Sequence, residues 1–142
     1  MQATRTDERT LTELDHVRLT KLMERLARAD NPYTHTSASL EDVLDLAELV
    51  PSPQVSPDIV TMYSQVEVAD LTGGESRRIT VCYPDDAEPT SGFVSVLSPV
   101  GSALIGRRVG STVSWRQPDG RETAVELRAV LFQPEATGDY TL

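Results

Sequence analysis

The stretch S-P-V-G-S-A-L-I-G-R-R-V-G, residues 98–110, has the spacing of a phosphate-binding loop. From Gly101 to Arg108 it departs from G-x-x-x-x-G-K-[ST] only at its last two positions. There Arg107 and Arg108 stand in place of the lysine and the hydroxyl that would hold phosphate and magnesium. A phosphate loop also starts its helix after the second glycine, so that free N–H groups face the anion. Here the helix signals lie between the glycines: Ser98 is an N-cap, Pro99 a first-turn proline and Gly106 a C′ glycine. No downstream apolar strand ends in a magnesium-binding acid. The spacing predicts a short helix crossing a sheet, and a nucleotide-hydrolysing reading fails.

Other candidates for chemistry are few. A magnesium-holding pair needs two oxygen donors aimed at one point. Glu41 and Asp42 are adjacent on a predicted helix and so point about 100° apart. Asp85 and Asp86 fall in a polar loop, with solvent as the expected neighbour, and Asp30 stands alone before N-P-Y-T-H-T-S. Cys82 reads as a strand residue, since the chain has two histidines, His16 and His35, to activate a thiol. His16, beside Asp15 in mid-helix, reads as a surface residue, and His35 as a solvated loop residue. The expectation is a protein without catalytic residues, metal or cofactor, and not an enzyme.

The elements that would carry these residues fall into two rhythms. From Asp7 to Val50 the apolar period is helical: Leu11, Leu14, Leu19, Leu22, Leu26 and Ala29 share one stripe, with Val17 and Met23 at its edges. Asn31-Pro32 breaks the run. A second stripe, Leu40, Val43, Leu44, Ala47 and Val50, begins at Ser39 as N-cap and ends before Pro51. Arg18, Lys21, Arg25 and Arg28 load the first helix, while Glu41, Asp42, Asp45 and Glu48 load the second, which favours an antiparallel pair. From Gln65 onward the period is two: Q-V-E-V-A-D, R-R-I-T-V-C-Y, F-V-S-V-L, S-T-V-S-W-R and R-E-T-A-V-E-L-R-A-V-L-F-Q form a bent antiparallel sheet of about five strands. The proline-rich V-P-S-P-Q-V-S-P-D-I-V links the halves. Residues 1–54 are thus read as a helical hairpin, a short coiled coil, and residues 55–142 as a sheet domain: an α+β chain.

The totals narrow the function. With 22 acidic against 13 basic residues the net charge is −9, which argues against autonomous nucleic-acid binding and fits a protein partner. No apolar run approaches the roughly 18 residues of a membrane span. One cysteine forms no internal disulfide, so a cytoplasmic protein is expected.

Three stretches resemble one family. V-S-P-D-I-V-T-M-Y-S-Q-V-E-V-A-D-L, S-V-L-S-P-V-G-S-A-L-I-G-R-R-V-G-S-T-V-S-W and the terminal F-Q-P-E-A-T-G-D-Y-T-L are similar to the regulator of nucleoside diphosphate kinase (Rnk) family, relatives of the transcript-cleavage factors GreA and GreB. The S-P-[VIM]-x-x-x-L-[IL]-G block is shared with Gre factors, and the Q-P-E-A-x-G-D-Y ending points to Rnk. The resemblance implies an FKBP-like C-terminal domain without prolyl-isomerase activity. It also implies docking on RNA polymerase at the secondary channel through Leu97, Ser98 and Pro99, although Gre factors often carry a polar or acidic residue where Leu97 stands. Gre factors place an acidic pair from a long coiled coil beside the catalytic magnesium. The first helix here, from Asp7 to Ala29, would reach about 35 Å and the second about 18 Å. The tip, Asp30, Asn31, Pro32, Tyr33 and His35, carries one carboxylate. The implied function is a monomeric transcription regulator that competes with Gre factors without stimulating cleavage; an active cleavage factor and an FKBP-like chaperone are the alternatives.

Overall fold

The computed structural model describes residues 9–28, 34–71, 74–117 and 119–138, with the backbone alone for 28 and 34–39. A three-residue strand β1 (Thr10–Thr12) leads into helix α1 (Glu13–Arg28), and helix α2 (Thr34–Leu46) leads into strand β2 (Glu48–Val50). The second half contains β3 (Gln65–Asp70), β4 (Ser76–Cys82), β5 (Phe93–Ser95), helix α3 (Pro99–Leu104), β6 (Thr112–Arg116) and β7 (Glu122–Phe132). The five strands β3–β7 form one curled sheet in the order β5-β4-β3-β7-β6.

The helical pair differs from the sequence expectation at both roots. Residues 10–12 are extended and not helical: Thr10, Leu11 and Thr12 pair in parallel with Glu48, Leu49 and Val50. The helix starts later because Thr12 caps it, its Oγ1 accepting from the Asp15 N–H at 3.0 Å. The second helix begins at Thr34, ahead of Ser39, and stops at Leu46, so the segment ending at Val50 is strand. His16 is not a free surface residue. Its Nε2 lies 3.0 Å from the Leu44 carbonyl, joining the start of α1 to the end of α2 and fixing their antiparallel sense. Leu19 and Leu22 of α1 and Leu40, Val43 and Leu44 of α2 are buried in the same core as the sheet. Ion pairs among the described residues include Arg108–Asp58, Arg121–Asp119 and Arg128–Glu126, and none of these three joins the two helices. Apolar burial, at about 25 cal/mol per Å², holds the pair together more than surface charge does.

The linker is not a tether throughout. Ile59, Val60 and Met62 are buried, the Val60 N–H donates to Arg107 O at 2.9 Å, and Val60 O accepts from Gly106 N–H at 2.8 Å. Buried Gln133, just past β7, donates from Nε2 to the carbonyls of Ser56 and Ile59, both at 2.8 Å. In the sheet, Val66, Val68, Ile79, Val81, Val113, Val125 and Leu127 supply the inner face. Register shifts of β7 against β3 between Gln65 and Val66 and between Glu67 and Val68 supply the curl. The sheet is not wholly antiparallel: β5 lies parallel to β4, with Thr80 opposite Phe93 and Cys82 opposite Ser95. Among the described residues no helix is long and apolar enough to cross a membrane.

The glycines of residues 98–110 serve packing. A Cβ on Gly101 would come within 2.0 Å of the Ser95 carbonyl oxygen. Gly106, at φ +81°, would place one 3.1 Å from the carbonyl oxygen of Thr10. The first glycine lets α3 press against the end of β5. The second takes a left-handed turn beneath β1. Gly101→Ala is expected to lower stability by about 3 kcal/mol, because the nearest atom is backbone and cannot swing aside. Urea unfolding checks this; an unchanged midpoint would show that α3 does not need the close approach.

Candidate partner-docking surface

The turn from β5 into α3 is built by serines. Ser95 Oγ accepts from the Leu97 N–H at 3.0 Å, and Ser95 O accepts from both the Ser98 N–H (3.0 Å) and the Ser98 hydroxyl (2.6 Å). Ser98 Oγ in turn accepts from the Gly101 N–H at 3.1 Å, capping α3, and Pro99 occupies the first turn, where no N–H is missed. At the other end, Arg9 Nη1 donates to the Ser102 and Ile105 carbonyls at 2.8 and 2.9 Å. A guanidinium thus sits on the negative end of the helix.

Of the three residues that the resemblance places at the docking contact, two reach the surface. Leu97 is 0% exposed, an anchor of the turn inside the core. Ser98 and Pro99 are half-buried, with Val100 beside them, and these three present the surface. Asp30, Asn31, Pro32 and Tyr33 lie outside the described residues. His35 falls on the first turn of α2 and not in a loop.

Among the described residues no group of three or more His, Cys, Asp and Glu could hold a metal ion. Glu41 and Asp42 are both exposed on α2. Asp85 and Asp86 are exposed, as expected, and Asp86 Oδ2 also accepts a hydrogen bond from the hydroxyl of Tyr63, which stands at φ 66°. That bond and burial, with burial the larger cause, push the Tyr63 phenol above its ordinary value. Cys82 closes β4, fully buried, and burial pushes its thiol up to about 11, so little thiolate exists near neutrality.

The residue that sequence reading missed is Asp15. It is 2% exposed and its Oδ2 accepts from the Met62 N–H at 3.1 Å, pinning α1 to the linker. Asp15, Leu19, Leu22 and Leu26 fall on one helical stripe, the signal that would have placed the carboxyl inside. Burial first, and then Glu135, push its pKa up to about 6, while the Met62 bond and Arg18 work against them. Glu135 is held there by the Thr61 hydroxyl at 2.7 Å. Above it, the phenol of Tyr83 is pushed up to about 12 by burial and by Asp15.

Together the geometry defines a helical pair rooted on a curled sheet, with a serine-capped turn presented at the surface and no constellation for covalent or metal chemistry among the described residues. Residues 54–131 match the family described as "Transcription elongation factor, GreA/GreB, C-term". The chain is 37% identical over 132 residues to the regulator of nucleoside diphosphate kinase of Escherichia coli K12, covering 93% of this chain and 95% of that one. It is 39% identical over 108 residues to the transcription elongation factor GreA of Desulfovibrio desulfuricans, covering 76% of this chain and 62% of that protein. The solved structure of a GreA/GreB elongation factor from Nitrosomonas europaea superposes with a TM-score of 0.72 at 32% identity, over 88% of this chain and all of that one. The chain belongs to the regulator of nucleoside diphosphate kinase family, within the GreA/GreB group, and is a Gre-related regulator.

Asp15 gives a pH test. Its folded pKa, about 6, exceeds the unfolded value near 3.8, so the stability from its protonated form is present below the unfolded value and lost as pH rises through 6. Asp15→Asn keeps an acceptor for Met62 and cannot ionise. Its stability relative to the unaltered chain should therefore rise by on the order of 2–3 kcal/mol between pH 4 and 7. Denaturation midpoints across that range check it; a flat difference would show that Asp15 does not ionise with this cost.

Proposed function

We propose that this chain binds RNA polymerase at the secondary channel and competes there with Gre factors without stimulating transcript cleavage. The observation that carries the reading is the surface presentation of Ser98-Pro99-Val100 on a family sheet module, while Leu97 is withdrawn into the core. In this reading residues 55–142 dock, and residues 1–54, a short coiled coil, occupy the entrance. The sheet module is FKBP-like in its strand-and-helix arrangement but serves as a grip and not as an isomerase or other enzyme. The chain acts as a monomer in the cytoplasm, without contacting nucleic acid by itself. Changes in nucleoside diphosphate kinase levels follow downstream.

The inability to stimulate cleavage rests on reach and charge. Helix α1 has 16 residues and α2 has 13, about 24 and 20 Å, and the first turns of α1 are spent packing on the linker. Between the helices, Asp30 is the one carboxylate in residues 29–33, and one carboxylate does not form a magnesium-holding pair. Competition then follows from mass action at one site.

Titrating labelled polymerase-bound Gre factor with this chain should displace it, and a backtracked complex given this chain alone should keep its RNA length. Pro99→Ala, which leaves the Ser98 cap in place, should weaken displacement by about tenfold with an unchanged melting curve. No displacement at saturation would end the docking reading, and shortened RNA would restore the cleavage factor.

A further inference from the structure

One groove starts at Pro99 and Val100 and runs on across the sheet to β4, beyond the turn and away from the helical pair. It is an open cleft of about 610 Å³ at the uncovered end of the sheet's inner face, between β4, the loop before β5, the start of α3 and β6. That size suits several extended residues of a peptide. The groove's floor is apolar: Ile79, Val94, Val100 and the indole of Trp115 line it. Its β4 wall carries Arg77 and Arg78, and no carboxylate lines it among the described residues.

Those two arginines stand out in a chain of net charge −9. Both are exposed, and neither makes an ion pair with a described residue. They sit on the stretch of β4 that β5 does not cover, since β5 pairs only with Thr80 to Cys82. Gly92, whose added Cβ would lie 3.1 Å from Arg78 O, brings the loop before β5 tight against that strand and makes the opposite wall.

Strand geometry decides between a small anion and a chain. Successive strand residues point to opposite faces. Arg77, paired with buried Val68, leans to the inner face with Ile79 and Trp115, whereas Arg78, paired with Glu67, leans to the outer one. Two guanidiniums so divided do not close bidentately on one phosphate. They suit carboxylates spaced along an extended segment whose apolar side chains lie on Trp115 and Val100.

We propose that this groove binds an acidic segment of a protein partner, with glutamate or aspartate against Arg77 and Arg78 and an apolar residue against Trp115. Pro99 and Val100 line the same groove, so it continues the surface assigned to polymerase docking. The identity of the partner rests on that reading; the chemistry of the groove does not.

Trp115 is the one tryptophan of the chain and reports directly. A soluble peptide of glutamates interleaved with leucines should shift its emission saturably, and added salt should weaken the effect. Arg77→Glu with Arg78→Glu should weaken binding by about tenfold; Arg77→Gln with Arg78→Gln, milder at these exposed positions, should weaken it less. The lysine counterpart of the peptide should leave the emission unchanged, as should inorganic pyrophosphate. The proposal fails if the acidic peptide leaves Trp115 unchanged, the result expected of arginines that merely guard a strand edge. It fails equally if pyrophosphate binds as well or if neither double variant matters. Displacement of Gre factor, measured separately, tells the two readings apart: peptide binding without displacement removes the polymerase and keeps the groove. Displacement that is indifferent to both double variants overturns polymerase as the groove's partner and keeps the docking reading.

Discussion

The structure depends on one close approach, α3 against the end of β5, made possible by the missing side chain of Gly101. With that helix seated, its C-terminal carbonyls meet Arg9, and Gly106 turns under Thr10. The same turn trades hydrogen bonds with Val60 and so locks the linker. Six residues of helix thereby receive the amino-terminal strand, the linker and the sheet at once. A lysine-threonine pair after Gly106, as a phosphate loop would need, has no role in this arrangement; Arg107 is buried and its Nε donates to Ala103 O at 3.4 Å.

Much of this was legible in the residues. The leucine stripe of α1, the period-two strands, and the Ser-Pro start of α3 each carry a local signal that tertiary packing did not overrule. What stayed hidden was set by partners distant in sequence. Thr10–Thr12 continues an apolar pattern and becomes strand only because Glu48–Val50 lies beside it. Asp15 looked like a solvent residue by type, although its place on the stripe put it inside, against Met62. Leu97 was carried over by resemblance as a docking residue, and its apolar side chain lies in the core. The parallel pairing of β5 was beyond reach, because a short strand after a ten-residue connection gives no sign of its direction.

Charge in this molecule is distributed by place more than by sum. The helical pair is held by leucine and valine, with its Glu41, Asp42 and Asp45 left facing water. Three carboxylates tie segments together: buried Asp15 at the root of α1, half-buried Glu135 under Thr61 and exposed Asp86 on Tyr63. Each accepts from a donor within residues 61–63, so the acidic composition that keeps the surface hydrated also joins distant segments.

Arg9 holds the trailing end of the very helix whose leading end carries Ser98 and Pro99. It lies one residue from the parallel pair that staples both roots of the hairpin, and its own carbonyl accepts the Glu48 N–H at 3.0 Å. The root of the helical pair and the trailing end of α3 are therefore anchored on one residue, so the placement of the short helix and the angle at which the two long ones leave the sheet are set by a single guanidinium and its own backbone.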